Sequence, residues 1–156
     1  MAAPTAPNPA VGATRRTADP LRVAGVVFAI ALLVHGADHL RRGMDVITPE
    51  VFWLGNLQIA LSIVTLVLVF RGHRWAPAFA VVTGFASAIG FSAAHLLPHW
   101  SAFSDAFTGV HPAGHVNAFS WFAACFEIGA GLALGVVGLR ALRASYLRRC
   151  SRAPSR

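Results

Sequence analysis

Hydrophobic residues along this chain are gathered into four long runs, which polar and basic segments separate. We predict membrane-spanning helices at residues 21–40, 51–70, 76–97 and 116–139. At about 1.5 Å per residue, helices of this length cross the roughly 30 Å hydrocarbon core of a bilayer. Short connections between the runs make neighbouring helices antiparallel. The pattern therefore predicts an all-α fold, an integral membrane antiparallel four-helix bundle.

The two ends of the chain lack this pattern. Residues 1–20 are rich in Pro, Ala and Thr and are predicted to form a disordered tail, and residues 141–156 are predicted to form a basic tail. The membrane domain then covers residues 21–140. The first run, with Arg15 and Arg16 before it, also resembles a signal peptide. Its apolar core is long for one and three more runs follow, so we expect it to remain as the first span.

The composition agrees with a membrane protein. Hydrophobic residues make up 56% of the chain and charged residues 12%, whereas soluble domains carry about 25% charged residues. The formal net charge is +7, but the arginines flank the hydrophobic runs instead of lining one polar face, so no nucleic acid partner is expected. The predicted partner is the lipid bilayer. The sequence leaves open a homo-oligomer or a partner in a membrane complex.

The distribution of arginine predicts how the bundle is oriented. The N-terminal segment, the second connection and the C-terminal tail together hold eleven arginines, while the first and third connections hold Arg41 and Arg42 alone. Basic residues concentrate on the cytoplasmic side of membrane proteins. Both termini are therefore predicted to be cytoplasmic, in a bacterial-type plasma membrane.

Six of the seven histidines fall at the predicted outer, non-cytoplasmic ends of the runs. They form three His-x-x-x-His pairs, which are His35 with His39, His95 with His99, and His111 with His115. Positions i and i+4 share one face of a helix, so both members of the first pair can point at one centre. In the second pair Pro98 intervenes, and because proline disfavours helical geometry at the residue before it, the third helix is expected to end or kink at Leu97.

Imidazole is a ligand for zinc, iron and copper, and a neighbouring carboxylate favours a divalent ion. We therefore predict a site for a divalent transition metal at the outer leaflet, with seven candidate residues: His35, Asp38, His39, His95, His99, His111 and His115. Asp105 and Glu50 also lie on this side, where they could be ligands or could orient an imidazole, but we expect them to be solvated loop residues. A ligand position left to water predicts hydrolytic chemistry, and a closed shell predicts a structural or storage role.

Glu127 lies about twelve residues into the fourth run, near the predicted bilayer centre. An ionisable side chain is costly at that depth, so we expect it to face the bundle interior. Gln58 lies at a comparable depth on the second run. Together they predict either an intramembrane polar relay for protons or ions leading to the histidines, or neutral hydrogen-bonding contacts between helices. Gly131 and Gly135 form a G-x-x-x-G pattern, which predicts close helix packing within the bundle.

Three other functions fit the same sequence. Haem can be held by one histidine from each of two facing helices, and His39 with His95 would serve, which makes an electron-transfer protein the first alternative. A non-catalytic accessory subunit is the second, with histidines that bond only to one another and to lipid headgroups. A transporter is the third, because Glu127 extends the polar cluster toward the bilayer centre.

Overall fold

The structure is a computed structural model, and it describes residues 19–109 and 114–151. Its helices are α1 (Pro20–Arg42), α2 (Pro49–Phe70), α3 (Ala76–Phe91) and α4 (Ala118–Cys150). A 3-10 turn, Met44–Val46, lies between α1 and α2, and a π-helical turn, Ser92–Leu96, extends α3. Each of the four helices, with the π turn counted as part of α3, is long and apolar enough to cross a membrane. For the described residues, the predictions of an all-α chain and of four helices long and apolar enough to span a membrane are confirmed.

Polar side chains and prolines mark where the first two helices begin. The Asp19 carboxylate accepts a hydrogen bond from the Leu21 amide, and the Thr48 hydroxyl accepts one from the Val51 amide. Proline follows each of these capping residues, at the first helical position, where its missing N–H has no partner to lose. The local sequence, a capping side chain followed by proline, therefore accounts for where the first two helices begin. Most of the predicted N-terminal tail lies outside the described residues.

The ends of α3 and α4 differ from the predicted spans. Leu97 is extended, with φ −78 and ψ 151, as expected for a residue before proline, and the last turn of α3 is π-helical instead of α-helical. At the other end of the chain, α4 continues to Cys150, well past residue 139. The basic segment predicted as a separate tail holds Ala, Leu and Arg without Gly or Pro up to that point, so it extends the helix.

Close approach of two backbones joins α3 to α4. A Cβ atom added to Gly84 would lie 2.5 Å from the Gly135 amide nitrogen and 2.6 Å from the Gly131 carbonyl oxygen. Such contact requires glycine on both helices, as the G-x-x-x-G pattern predicts. Farther along, Gly138 packs against Ala80, which shows that the two helices run in opposite directions.

The contacts of α1 give the same antiparallel arrangement. The Arg22 guanidinium, at the start of α1, donates to the Phe70 carbonyl at the end of α2. The Ser120 hydroxyl, at the start of α4, donates to the Asp38 carboxylate near the end of α1. The chain therefore alternates in direction from each helix to the next.

The interior of the bundle has an apolar half and a polar half. Near the start of α1 and the end of α4 the buried side chains are mainly hydrophobic, and the two buried hydroxyls there, of Thr65 and Thr83, hydrogen-bond to each other. The hydrophobic ones are Leu21, Ala24, Phe28, Ala31, Val69, Ala76, Ala80, Ala130 and Leu134. Toward the other end of the bundle the buried residues include His35, Asp38, His95, Ser120 and Glu127. The candidate site therefore lies at the end of the bundle away from the start of α1 and the end of α4.

Candidate metal centre

Three of the predicted histidines come together between α1 and the π turn. His35 and His39 lie one turn apart on α1, and His95 lies on the π turn that ends α3. Each residue offers one potential ligand nitrogen, and these three nitrogens lie within 4.8 Å of one another. The Nε2 atoms of His35 and His39 are 3.0 Å apart. Because these residues lie on different helices, the bundle brings a buried three-histidine group together that could hold a metal ion.

Apolar rings enclose this group. His35 is 5% exposed and His95 is 1% exposed, while His39 is half-buried. The ring of Phe91 lies 4.7 Å from the His35 ring, and the ring of Phe107 lies 4.6 Å from the His95 ring, measured between centroids. Walls of this kind exclude water, and a charge placed between the imidazoles is screened little.

The hydrogen bond of one ring nitrogen determines which nitrogen of His95 is free. His95 Nδ1 lies 3.0 Å from the carbonyl oxygen of Asp105. A carbonyl can only accept a hydrogen bond, so Nδ1 must carry the proton and Nε2 keeps its lone pair. This pattern, with Nδ1 on a carbonyl and Nε2 on the metal, is how metal-binding histidines are usually oriented.

The π turn that carries His95 is held by the segment that follows it. The last carbonyls of a helix have no partner within the helix. Here the Trp100 indole donates to the Ala93 carbonyl at 2.9 Å, the Asp105 amide donates to the Ala94 carbonyl at 3.0 Å, and the Phe107 amide donates to the His95 carbonyl at 2.9 Å. We call residues 97–109 the cap, because this segment folds back over the histidine group.

Glu127 faces His35 from α4. Its Oε2 atom lies 3.5 Å from His35 Nδ1, somewhat beyond the usual hydrogen-bond range of about 2.7–3.2 Å. Glu127 is 0% exposed, and within the described residues neither of its carboxylate oxygens nor His35 Nδ1 has a hydrogen-bond partner. Gln58, the other residue of the predicted relay, donates to the Ser62 hydroxyl one turn away on its own helix.

Asp38 lies near the histidines in sequence but is not part of the three-histidine group. Its carboxylate accepts from the Arg41 guanidinium at 2.8 Å and from the Ser120 hydroxyl at 3.0 Å. One step along a helix turns a side chain by about 100°, so Asp38 points toward α4 while His39 points toward α3. Its observed contacts join α1 to the start of α4.

The remaining predicted ligands lie elsewhere or outside the described residues. His99 is exposed and follows the extended Leu97 and Pro98, so the i, i+4 relation to His95 is lost. His115 is also exposed and has a φ of 51, and its carbonyl accepts a hydrogen bond from Arg41. His111 lies outside the described residues.

Asp105 is buried, so the expectation of a solvated loop residue is wrong. It is 7% exposed, and its two carboxylate oxygens accept from the two terminal nitrogens of Arg42 at 2.6 and 2.7 Å. Glu50, by contrast, is exposed as expected. Burial alone would raise the pKa of Asp105, but the hydrogen bonds and charge of Arg42 outweigh it and hold that pKa below its ordinary value.

Arg42 was not among the predicted site residues, because Arg41 and Arg42 were used only to predict the orientation of the bundle. Arg42 is itself buried, and its Nε atom donates to the Gly114 carbonyl at 2.9 Å. The signal that could have found it is a pair of arginines, Arg41 and Arg42, at the end of the helix that carries a histidine pair and in the two connections that hold no other arginine.

Fold and site together define a class of protein. The chain has four helices long and apolar enough to cross a membrane, and a buried three-histidine group that could hold a metal ion. No protein-family model, curated protein or solved structure matches this chain.

Proposed function

We propose that this protein is a multi-pass membrane metalloprotein of a bacterial-type plasma membrane, with a divalent transition metal bound at its outer end. The ligands are His35, His39 and His95. The observation that carries the proposal is the meeting of three imidazoles from α1 and the π turn, with Nδ1 of His95 already engaged by a carbonyl. Zinc, iron and copper all accept imidazole ligands.

The nitrogen positions fit a metal after a small adjustment. Two nitrogens that each lie about 2.0–2.1 Å from zinc, at angles of 90–109°, are about 2.9–3.4 Å apart. The 3.0 Å separation of His35 Nε2 and His39 Nε2 matches that value. For ligands on opposite sides of the ion the separation is about 4.2 Å at most, so nitrogens within 4.8 Å reach one ion with ring movements of less than about 1 Å.

Three ligands favour a reactive centre over a closed structural one. Structural zinc sites have four protein ligands, whereas catalytic sites have three and leave one position to water. Within the described residues the group consists of three histidines. A metal bound there would activate water for hydrolysis. A metal-handling role, in which the open position exchanges ligands during uptake or release, is the second candidate and rests on the half-buried His39.

This proposal keeps only one of the two residues of the predicted relay, Glu127, beside the histidines. Glu127 serves as the carboxylate that orients His35, because it is buried beside His35 Nδ1 and metal-binding histidines commonly donate to such a group. Gln58 contributes to contacts within α2. Below Glu127 the interior is lined mainly by apolar side chains such as Phe28 and Leu134, and the buried hydroxyls of Thr65 and Thr83 bond to each other. This lining favours a centre open to one side of the membrane over a transport path.

The same geometry favours an ion over haem. The rings of His39 and His95 are 6.0 Å apart, and the His35 ring lies 4.8 and 4.9 Å from them. A porphyrin bound by His39 and His95 would need the volume that the His35 ring fills. An absorption spectrum of protein prepared with haem present should therefore lack a Soret band.

Elemental analysis of the detergent-purified full chain tests the proposal. We expect a transition metal in a fixed ratio to protein, and we expect His39→Ala or His95→Ala to remove most of it, because each change deletes one of three ligands. His99→Ala is the matched control, since His99 is exposed and lies outside the group. Equal metal content in all four proteins, or metal in none of them, would rule out this centre.

A further inference from the structure

A buried ion pair lies directly beside the three-histidine group. Arg42 and Asp105 meet through two parallel hydrogen bonds of 2.6 and 2.7 Å, and both side chains are almost completely buried. Pairs of this kind add little net stability, because the loss of hydration of both charges offsets their attraction. Their fork geometry is specific, however, since a guanidinium and a carboxylate fit in few orientations.

Asp105 connects this ion pair to a metal ligand. Its carbonyl accepts from His95 Nδ1, and its amide donates to the Ala94 carbonyl of the π turn. The main chain of Asp105 is thus bound to the π turn while its side chain is bound to Arg42. A displacement of Asp105 would move the acceptor that holds the His95 ring in place.

Arg42 also reaches His95 through an aromatic ring. Its guanidinium carbon lies 5.2 Å from the centroid of the Phe107 ring, within the range of cation–π attraction. The Phe107 ring packs in turn against the His95 ring, and the Phe107 amide donates to the His95 carbonyl. Arg42 therefore contacts the His95 imidazole indirectly through two residues, Asp105 and Phe107.

The position of Arg42 on α1 links its contacts with Asp105 and Phe107 to the other two proposed ligands. It lies three residues after His39 on α1, so the helix that supplies two of the ligands also supplies the group that holds the cap. The contacts of Arg42 thereby join the two elements on which the three ligands lie. Among the described residues no other hydrogen bond joins α1 to the cap or to the π turn, so without these contacts packing alone would hold His95 to α1 there.

We propose that Arg42 is a positioning residue of the metal centre, which acts through Asp105 and Phe107 to hold the cap on His95 and so sets how tightly the metal is bound and how fast it leaves. This inference rests on the proposed metal centre. Groups that orient metal-binding histidines commonly change metal affinity by about 10–100-fold when they are altered.

Two conservative substitutions test the role of the ion pair. Asp105→Asn keeps the shape and the main-chain carbonyl but removes the charge, and Arg42→Lys keeps the charge but loses the fork. For each, we expect metal affinity to fall by about 10–100-fold, measured by competition with a chelator, and metal release to be correspondingly faster. In cobalt-loaded protein the visible absorption bands should shift, because the His95 ring changes its angle to the ion.

Arg41→Lys is the matched control. Arg41 is the neighbouring residue on the same helix, and it also pairs with a buried carboxylate, but that carboxylate is Asp38 and not a residue bound to His95. We expect its metal affinity and cobalt spectrum to equal those of the unsubstituted protein. Thermal unfolding of the metal-free proteins separates loss of fold from loss of binding geometry.

The outcomes distinguish the positioning role of Arg42 from the proposed metal centre on which it rests. If the unsubstituted protein binds no metal, both are wrong. If it binds metal and the Asp105→Asn and Arg42→Lys proteins bind it equally well, only the role of Arg42 is wrong, even if their metal-free forms are less stable. If one variant does not fold, the other decides, because either one breaks the paired hydrogen bonds.

Discussion

Glu127 is completely buried in α4, and neither carboxylate oxygen has a hydrogen-bond partner among the described residues. A buried polar group without a partner destabilises a fold by about 1–3 kcal/mol. Such a cost is understandable where the carboxylate gains a partner when a ligand binds, and here Nδ1 of His35 lies 3.5 Å from Oε2 of Glu127. When a metal binds Nε2 of that ring, Nδ1 becomes the better donor and the carboxylate becomes its acceptor.

This interpretation predicts opposite effects of one substitution on binding and on stability. Glu127→Leu removes the acceptor, so metal affinity should fall by about 10–100-fold in a chelator competition. The same change replaces an unpaired polar group with an apolar one, so thermal unfolding of the metal-free protein should occur at a higher temperature.

Two further variants separate this role from a general effect of polarity. Glu127→Gln keeps an acceptor oxygen and should lose less affinity than Glu127→Leu. Gln58→Leu should leave the affinity unchanged, because Gln58 bonds within α2. If Glu127→Leu binds metal as tightly as the unsubstituted protein, Glu127 serves only as a contact between helices.

Which histidines would meet could be predicted only in part. The spacing of His35 and His39 on a regular helix was sufficient, because side chains at i and i+4 share a face wherever the helix lies. His99 has the same spacing relative to His95, but the extended backbone at Leu97 carries it away, and His115, with a φ of 51, is exposed outside the three-histidine group. The burial of Asp105 depends on the tertiary contact with Arg42, which no local pattern reveals.

Among the helices, α3 and α4 are in the closest contact, and glycine makes this possible. Gly84 lies so near α4 that an added methyl group would meet main-chain atoms of Gly131 and Gly135 at less than 3 Å. Main-chain atoms within two helices cannot move aside as a flexible side chain can. The separation of α3 from α4 therefore depends on the absence of a side chain at residue 84, and the π turn that carries His95 lies two turns beyond it.

This contact predicts different outcomes for two glycines of one helix. Gly84→Ala should destabilise the detergent-solubilised protein by about 1–3 kcal/mol, because overpacking forces the helices apart. Gly90→Ala should be neutral or stabilising by up to about 1 kcal/mol, because no described atom lies within 4 Å of the added methyl group and alanine favours helix. Thermal unfolding measures both, and equal stability of the two variants would show that α3 and α4 are not packed this closely.

The helices themselves could be predicted more fully than the site. Their number, their approximate bounds and the close packing at Gly131 and Gly135 follow from hydrophobic length and residue size, which are local properties. The π turn was not predicted, since proline shows only that the helix ends. Its geometry depends on donors supplied by the cap, above all the amides of Asp105 and Phe107.

Viewed as a whole molecule, the bundle differs between its two ends. The histidine group lies in the polar half, and the buried side chains in the half that holds the start of α1 and the end of α4 are mainly apolar, including Phe28 and Leu134. The arginine distribution predicts that the termini are cytoplasmic, which would put the metal centre near the outer surface. A metal ion would then have a short polar route from the outside and a long apolar barrier from the inside.

Metal exchange across sealed vesicles tests this asymmetry. We expect a membrane-impermeant chelator to remove the metal from vesicles whose protein termini face the lumen, because a charged chelator meets the polar half there. Vesicles with the opposite orientation should keep their metal until detergent is added, since a charge in the apolar half is strongly disfavoured. Protease digestion of a C-terminal tag reports the orientation of each vesicle population. Removal of metal from the side that bears the termini would mean that the apolar half is open, and a transport path would then become the better explanation of the buried Glu127.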